Sequence, residues 1–423
     1  MRRVAEAPLP RRTGSEIRRP SPTPALDPSV RALGVVTLLS DFSSEITVRT
    51  LPLFLVNVLG AKTGVVGLIE GIAESTSTLL KLVSGVLSDR FEQKKPLTLW
   101  GYGLSGFTKP LLYFATSWWW VLAVRFLDRA GKGIRTSPRD AIIAELTPPE
   151  HRGRAFGFNK AMDKLGAVTA LLCAALLLLV GQHGAVGLTR RSYQWLVLLA
   201  LVPGIASVIV LALAVRESAP ALKAKALKQR PSWRDARGPF PQYLAVLFCF
   251  SLGNSSDAFL MLRAQSVGLS TVTIFIILAV FNLVIVASSI PAGVLSDRLG
   301  RRHVMVVGWV IYAAVYFGFA FASQAWHVWA LYAGYGLYHG AFQGASTALV
   351  ADLVPAERRG TAFGLYNAAT GAAALPASLM AGWLWQTFGQ GMPFLVGGGL
   401  ALIAAVWLGL LGLRRSTPVP AGE

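Results

Sequence analysis

Apolar residues run along this chain in long blocks, with polar residues collected in short intervals between them. A helix needs about 20 predominantly apolar residues to cross a bilayer. Blocks of that size lie near 33–57, 64–87, 96–115, 118–144, 154–180, 193–215, 241–262, 271–295, 303–322, 326–350, 361–385 and 392–413. They predict an all-α membrane protein with twelve spans. Residues 1–32 are rich in Arg and Pro and have no apolar core of the signal-peptide kind, so they predict a basic disordered tail. Residues 216–240 carry Lys, Arg and Pro without apolar periodicity and predict a linker. That linker divides a six-helix bundle at 33–215 from a second at 241–413, and residues 414–423 form a short tail.

Two repeated blocks show that the halves arose by duplication. Gly85-Val-Leu-Ser-Asp-Arg90 recurs letter for letter as Gly293-Val-Leu-Ser-Asp-Arg298, 208 positions later (293 − 85). Ala144-Glu-Leu-Thr-Pro-Pro-Glu-His-Arg-Gly-Arg-Ala-Phe-Gly157 aligns with Ala351-Asp-Leu-Val-Pro-Ala-Glu-Arg-Arg-Gly-Thr-Ala-Phe-Gly364 at an offset of 207 (351 − 144). Duplicated bundles joined by charged loops are a transporter pattern.

Composition agrees: 53% of residues are hydrophobic and 14% charged, against roughly 25% charged in soluble domains. The net charge of +19 invites a nucleic-acid reading, but the distribution opposes it. With the N-terminus inside, 26 of the 40 Lys and Arg fall in the tails and inner loops, and four (Lys62, Arg190, Arg191, Arg263) fall on the other side. The positive-inside rule then predicts both termini in the cytoplasm. The basic excess reads as a topology signal with contact to anionic lipid, and no nucleic-acid partner is expected. Cys173 and Cys249 lie within spans and suggest neither a disulfide framework nor a metal site. No metal or other cofactor is expected.

On these motifs the chain resembles the major facilitator superfamily over about residues 33–414. The Gly-x-Leu-Ser-Asp-Arg loop between spans 2 and 3, echoed between spans 8 and 9, is similar to that family's best-known motif. The Pro-Pro-Glu-x-Arg-Gly turn between spans 4 and 5, echoed between 10 and 11, is similar to another. The resemblance implies two pseudo-symmetric six-helix bundles around a central cavity, working by alternating access. It also implies that Gly85, Asp89, Arg90 and their counterparts Gly293, Asp297 and Arg298 form a conformational switch, in which a carboxylate meets a helix N-terminus of the other half. After Arg90 the chain departs from the family pattern, whereas Leu299-Gly-Arg-Arg302 keeps it. Arg125-x-x-x-Arg129 likewise places a charge where the family has a small residue.

Ionisable residues within spans cost about 2.5–3.5 kcal/mol each on insertion scales, so they mark function. Span 1 carries Asp41, Glu45 and Arg49 at four-residue spacing, on one helix face. Span 2 carries Glu70, Glu74 and Lys81, and span 4 carries Arg125, Asp128, Arg129, Lys132, Arg135, Arg139 and Asp140. In the second half the acid well inside a span is Asp257, beside polar Asn254, Asn282, His339 and Gln343. Glu45 is the first candidate proton carrier, with Asp41, Glu70, Glu74 and Asp257 behind it. Arg49, Arg125, Asp128, Arg129, Lys132, Asn254, Tyr335, His339 and Gln343 are candidates for the substrate cavity. Static pairing is the competing reading: Asp41 or Glu45 with Arg49, Glu74 with Lys81 or Arg125, Asp128 with Lys132. Tyr332, Tyr335 and Tyr338 recur three apart and suit either a pocket wall or plain packing. Gly67 and Gly71 suit close packing within the bundle.

The sequence therefore predicts a secondary transporter of a small organic solute, coupled to protons or another ion and working in efflux. Uptake of an anionic metabolite is the second reading, and a non-transporting receptor or scaffold is a third of another class. An enzyme is not expected, since no nucleophile–base arrangement appears. The expected form is a monomer, multi-pass in an inner (plasma) membrane of bacterial type.

Overall fold

The computed structural model describes residues 26–90, 94–148, 151–181, 187–216, 239–354 and 359–411. Residues 1–25 of the predicted N-terminal tail, the predicted C-terminal tail and most of the linker lie outside these residues. The first half comprises α1 (Pro28–Asn57), α2 (Thr63–Arg90), α3 (Lys95–Thr108) with a 3-10 continuation (Lys109–Phe114), α4 (Trp118–Glu145), α5 (Arg152–Gly181) and α6 (Arg190–Ala214). The second comprises α7 (Phe240–Gly253), α8 (Ala258–Ser266), α9 (Thr271–Leu299), α10 (Arg301–Phe321), α11 (Ala325–Leu353), α12 (Arg359–Phe388) and α13 (Met392–Leu410). Each predicted span thus corresponds to a helix or a helix pair.

Local signals set several helix starts. Asp27 accepts a hydrogen bond from the Ser29 backbone N–H at 2.7 Å, and Pro28 occupies the first turn, where its missing N–H costs nothing. Residues 28–32, assigned to the tail from sequence, are therefore helical. Ser117, Thr189 and Ser270 cap α4, α6 and α9 in the same way. Between α9 and α10 the chain turns at Gly300 with φ +91°, a conformation that side chains disfavour.

Six described segments are long and apolar enough to cross a membrane on length and composition alone: α5, α6, α7 with α8, α9, α10 and α13. α1, α2 and α4 carry the charges named above, and α12 is rich in Ala and Gly.

The packing obeys a two-fold rule. In the first half α1 packs on α5 and α6, α2 on α4, and α3 on α4 and α6. Moving six spans on, α7 packs on α12 and α13, α9 on α11, and α10 on α11 and α13. Between the halves, α2 meets α12 and α5 meets α9, a reciprocal pair under the same rule. The α2–α12 seam is built from small residues. Gly67 lies on the Ser378 backbone, a Cβ at Gly71 would sit 3.0 Å from the Leu375 Cα, and one at Gly382 would sit 2.8 Å from the Gly64 Cα. Close packing was the expectation for Gly67 and Gly71; the structure places it between the halves rather than within one.

Span 7 is a correction. The sequence predicted one uninterrupted helix, but α7 ends at Gly253 and α8 begins at Ala258. Gly253 and Gly397 of α13 touch backbone to backbone, which leaves no room for a side chain at either. The carbonyl freed at Gly253 accepts the Tyr312 hydroxyl at 3.1 Å, so the break leaves this buried polar group satisfied. Asp257 lies in the break, not in the body of a span.

Candidate functional site

A cavity of about 450 Å3 lies between the halves. Its first-half wall is charged: Asp41, Glu45 and Arg49 from α1, Glu70 and Glu74 from α2, and Arg125, Arg129 and Lys132 from α4. The opposite wall carries a single acid, Asp257 at the span 7 break beside Asn254; it mixes aromatic and apolar residues (Leu247, Phe250, Met261, Tyr335, Phe342 and Tyr366) with His339 and small hydroxyl side chains.

Helical spacing explains the charged wall. Residues four apart share a face, so Asp41, Glu45 and Arg49 point together, as do Glu70 and Glu74, and Arg125 and Arg129. The charges then form three groups. In the first, Arg49 Nε lies 3.0 Å from Glu45 Oε2 and its Nη1 lies 3.1 Å from Asp257 Oδ2, joining α1 to the other half. Asp257 also accepts the Tyr335 hydroxyl at 2.9 Å.

The second group is buried. Arg125 Nη2 reaches both Glu70 oxygens, at 3.2 and 3.0 Å. Asp128 gathers Arg125 at 3.5 Å, Arg129 at 3.4 Å and Lys109 at 3.8 Å, and accepts the Ser105 hydroxyl at 2.6 Å. Asp128 is not among the cavity-lining residues; it braces α4 against α3 from behind. Of the pairings offered from sequence, Glu45 with Arg49 is present, whereas two are corrected: Glu74 is 3.8 Å from Arg129 rather than bridged to Lys81 or Arg125, and Asp128 does not pair with Lys132. Glu74 keeps 51% of its side chain exposed while Arg129 keeps 4%. Lys132 has no ion-pair partner among the described residues.

The third group escaped the sequence reading. Asp41 and Asp163 on α5 lie close enough to interact electrostatically. Asp163 was not among the charges singled out from the sequence; it lies between Lys160 and Lys164 near the start of α5. The signal was present: Thr37 and Asp41 on one helix, Asn159 and Asp163 on the other, both four apart. Thr37 donates to Asn159 at 2.8 Å, which fixes the register one turn earlier.

Among the other predicted residues, His339 lines the cavity with its ring against Phe281, Tyr335 and Tyr338, and its Nε2 is buried without a hydrogen-bond partner. The tyrosine stripe divides: Tyr335 faces the cavity, while Tyr332 and Tyr338 are packed in the core. The side chains of Gln343, Asp89, Arg90 and Asp297 lie outside the described residues. Gly85 and Gly293 lie near the C-terminal ends of α2 and α9, away from the cavity, and Arg298 is exposed. No group of three or more His, Cys, Asp or Glu suited to a metal ion occurs among the described residues.

The family model of the Major Facilitator Superfamily matches residues 33–285 and 258–423 of this chain. The chain belongs to this superfamily. The chain is 33% identical to an MFS-type transporter of Methanocaldococcus jannaschii, over 90% of this chain and 94% of that one. It is 31% identical to a multidrug resistance efflux pump PmrA homolog of Lactococcus lactis, over 43% of this chain and 46% of the relative. Among solved structures it resembles a bacterial homolog of the human lysosomal transporter Spinster, with a TM-score of 0.72 at 16% identity, covering 91% of this chain and 97% of that one. The protein is thus an integral, multi-pass membrane protein of a transporter family.

Proposed function

We propose that the protein moves a small amphipathic organic solute across the membrane by alternating access, driven by protons, in the direction of efflux. The supporting observation is the two-sided cavity. One wall offers fixed charges and the other offers aromatic rings, with Phe250 and Phe342 tilted to one another at 5.7 Å between centroids. A solute with a charged end and an aromatic or aliphatic body satisfies both walls. The cavity volume is at the scale of small-ligand sites, roughly 300–1,000 Å3. Efflux is favoured by the likeness to the Lactococcus lactis pump. Both termini are assigned to the cytoplasm and the protein to the inner (plasma) membrane, from the distribution of basic residues.

Alternating access requires contacts between halves that can break. Arg49–Asp257, the α2–α12 seam and Lys164–Asn282, a 3.1 Å hydrogen bond between α5 and α9, are such contacts. The test is reconstitution into liposomes with an imposed pH gradient and a panel of amphipathic organic anions and cations. The gradient drives at least one of them against its own gradient. No flux above protein-free liposomes, with or without a gradient, would overturn the reading in favour of a non-transporting receptor or scaffold.

Uptake of an anionic metabolite is the second reading. It is favoured by Lys132, which faces the cavity without an ion-pair partner among the described residues, beside Arg129, whose Glu74 contact is long at 3.8 Å.

A further inference from the structure

On the reading above that the cavity holds the solute, we infer that this solute is an aromatic organic anion, and that its oxyanion sits between Lys132 of the first half and His339 of the second.

The two residues hold equivalent places in the two halves. α4 and α11 begin at Trp118 and Ala325, 207 positions apart (325 − 118), which is the offset of the repeated Pro-containing block. The same offset carries Lys132 onto His339 (339 − 132). Packing agrees with the register. A Cβ at Gly133 would sit 2.8 Å from the Ser77 carbonyl oxygen of α2, and one at Gly340 would sit 3.2 Å from the Ile285 oxygen of α9. Ser77 and Ile285 are 208 apart (285 − 77), the offset of the Gly-Val-Leu-Ser-Asp-Arg block. The glycines that follow Lys132 and His339 are thus seated in the same way. Two halves of six spans each begin on the same side of the membrane, so the axis relating them runs along the membrane normal. Equivalent residues then lie at one depth on opposite sides of that axis. Both Lys132 and His339 line the cavity.

Both side chains carry a nitrogen in want of a partner. No carboxylate among the described residues lies within 4 Å of the Lys132 ammonium, and His339 Nε2 is buried without a hydrogen bond. A buried polar group left unpaired costs about 1–3 kcal/mol. The neighbours are committed elsewhere. Glu74 faces Arg129, Glu70 holds Arg125, and Glu45 and Asp257 share Arg49. Tyr335 meets the imidazole ring at 4.6 Å between centroids, but its hydroxyl donates to Asp257.

An oxyanion meets both needs at once. It only accepts hydrogen bonds. Lys132 donates from its ammonium, and a neutral imidazole donates its single N–H when that proton is on Nε2. Water at His339 would leave the Lys132 charge unbalanced, and a cation there would be repelled by Lys132 and by Arg129 one turn away. The aromatic body follows from the same wall. Phe342 comes three positions after His339 and lines the cavity with Phe250 and Tyr366. Because the oxyanion takes one donor from each half, its binding adds a contact between the halves. The rival site is Asp41, which lines the cavity and has no cation within 4 Å among the described residues. It lies on one wall only and would select an amine.

Calorimetric titration of the full-length protein in detergent tests this. The probes are phenylacetate, cinnamate and indole-3-acetate, each beside its amine counterpart phenethylamine, cinnamylamine or tryptamine. At least one carboxylate is expected to bind about tenfold or more tighter than its amine. Lys132→Gln and His339→Leu each weaken that binding about tenfold or more, the loss of one hydrogen bond to a charged group. Lys132→Arg and His339→Gln keep a donor and retain most of the affinity. Amines binding as well as the carboxylates, no binding of any of the three carboxylates, or full affinity in either Lys132→Gln or His339→Leu overturns the assignment. Should a variant fail to fold, the wild type decides. A carboxylate labelled with 13C shows a dipolar contact to 15N-labelled histidine in solid-state spectra, and the absence of that contact overturns the site. If a carboxylate binds in this way but no probe crosses liposomes under any gradient, the transport reading has failed and the anion site stands.

Discussion

Arg125 shows why single charges in this protein cannot be read alone. Its guanidinium is almost wholly buried and is held by Glu70 and Asp128. Taking ions out of water costs several kcal/mol each, and their attraction repays this only with good geometry. Removing Glu70 leaves Arg125 with Asp128 alone, at 3.5 Å, which Arg129 and Lys109 also share. Glu70→Gln is expected to lose about 3–5 kcal/mol of stability, seen as a lower melting temperature in detergent. The double variant Glu70→Gln, Arg125→Met recovers more than half of that loss, and a double variant no better than the single would show that the pair is not the reason. Arg129 and Lys132 differ, because their charge is only loosely compensated and faces the cavity. If an anionic group docks there, Arg129→Ala raises the KM of that solute about tenfold or more, the loss of one charged hydrogen bond of roughly 1.5–3 kcal/mol. An unchanged KM in counterflow would remove Arg129 from recognition.

At the scale of elements, close approach decides what can move. The α2–α12 seam has glycine or serine at its tightest points, so the helices meet along their backbones. Gly71→Val inserts methyl groups where a Cβ would already lie 3.0 Å from the Leu375 Cα. Overpacking of this kind costs roughly 1–3 kcal/mol, equivalent to about a 5–150-fold shift between two states. Spin labels at the α2 and α12 ends near Gly64 and Gln386 are expected to move apart in this variant, and an unchanged distance distribution would mean that the seam does not hold the closed end. The elements also show what could be read beforehand. Hydropathy and two repeats suffice for twelve helical positions and two bundles, since both are periodic along the chain. The break at 254–257 could not be read, because the residues around it stay apolar enough for a span and the cause, Gly397, is 144 positions from Gly253 (397 − 253). Asp163 failed for the opposite reason: a lone acid between lysines draws no notice until Asp41 of α1 is placed near it. The stripe on α1 was legible because all its members lie on one helix.

The whole molecule is organised about one axis, and Arg49 and Asp257 mark it. They are separated by 208 positions, the offset of the repeated Gly-Val-Leu-Ser-Asp-Arg block, and they touch. Residues related by a two-fold rotation meet only near the axis, so this ion pair spans the pseudo-symmetry axis itself. A 180° rotation exchanges the two positions. Exchanging the residues should therefore restore the pair, whereas changing one should not. Arg49→Asp alone sets two carboxylates against each other, with Glu45 adding a third one turn away; Asp257→Arg alone does the same with two guanidinium groups. Both single variants are expected to lose most transport. The double exchange is expected to regain part of it, and only part, because the surroundings are not symmetric. Glu45, which holds Arg49, has Gly253 at its repeat position, and Tyr335, which holds Asp257, has Asp128 at the 207 offset of its own helix. Flux compared across the two single variants and the double variant in liposomes gives the coupling energy directly. Strict additivity of the two losses would mean that the contact carries no weight in the cycle, and that the halves turn about the axis without it.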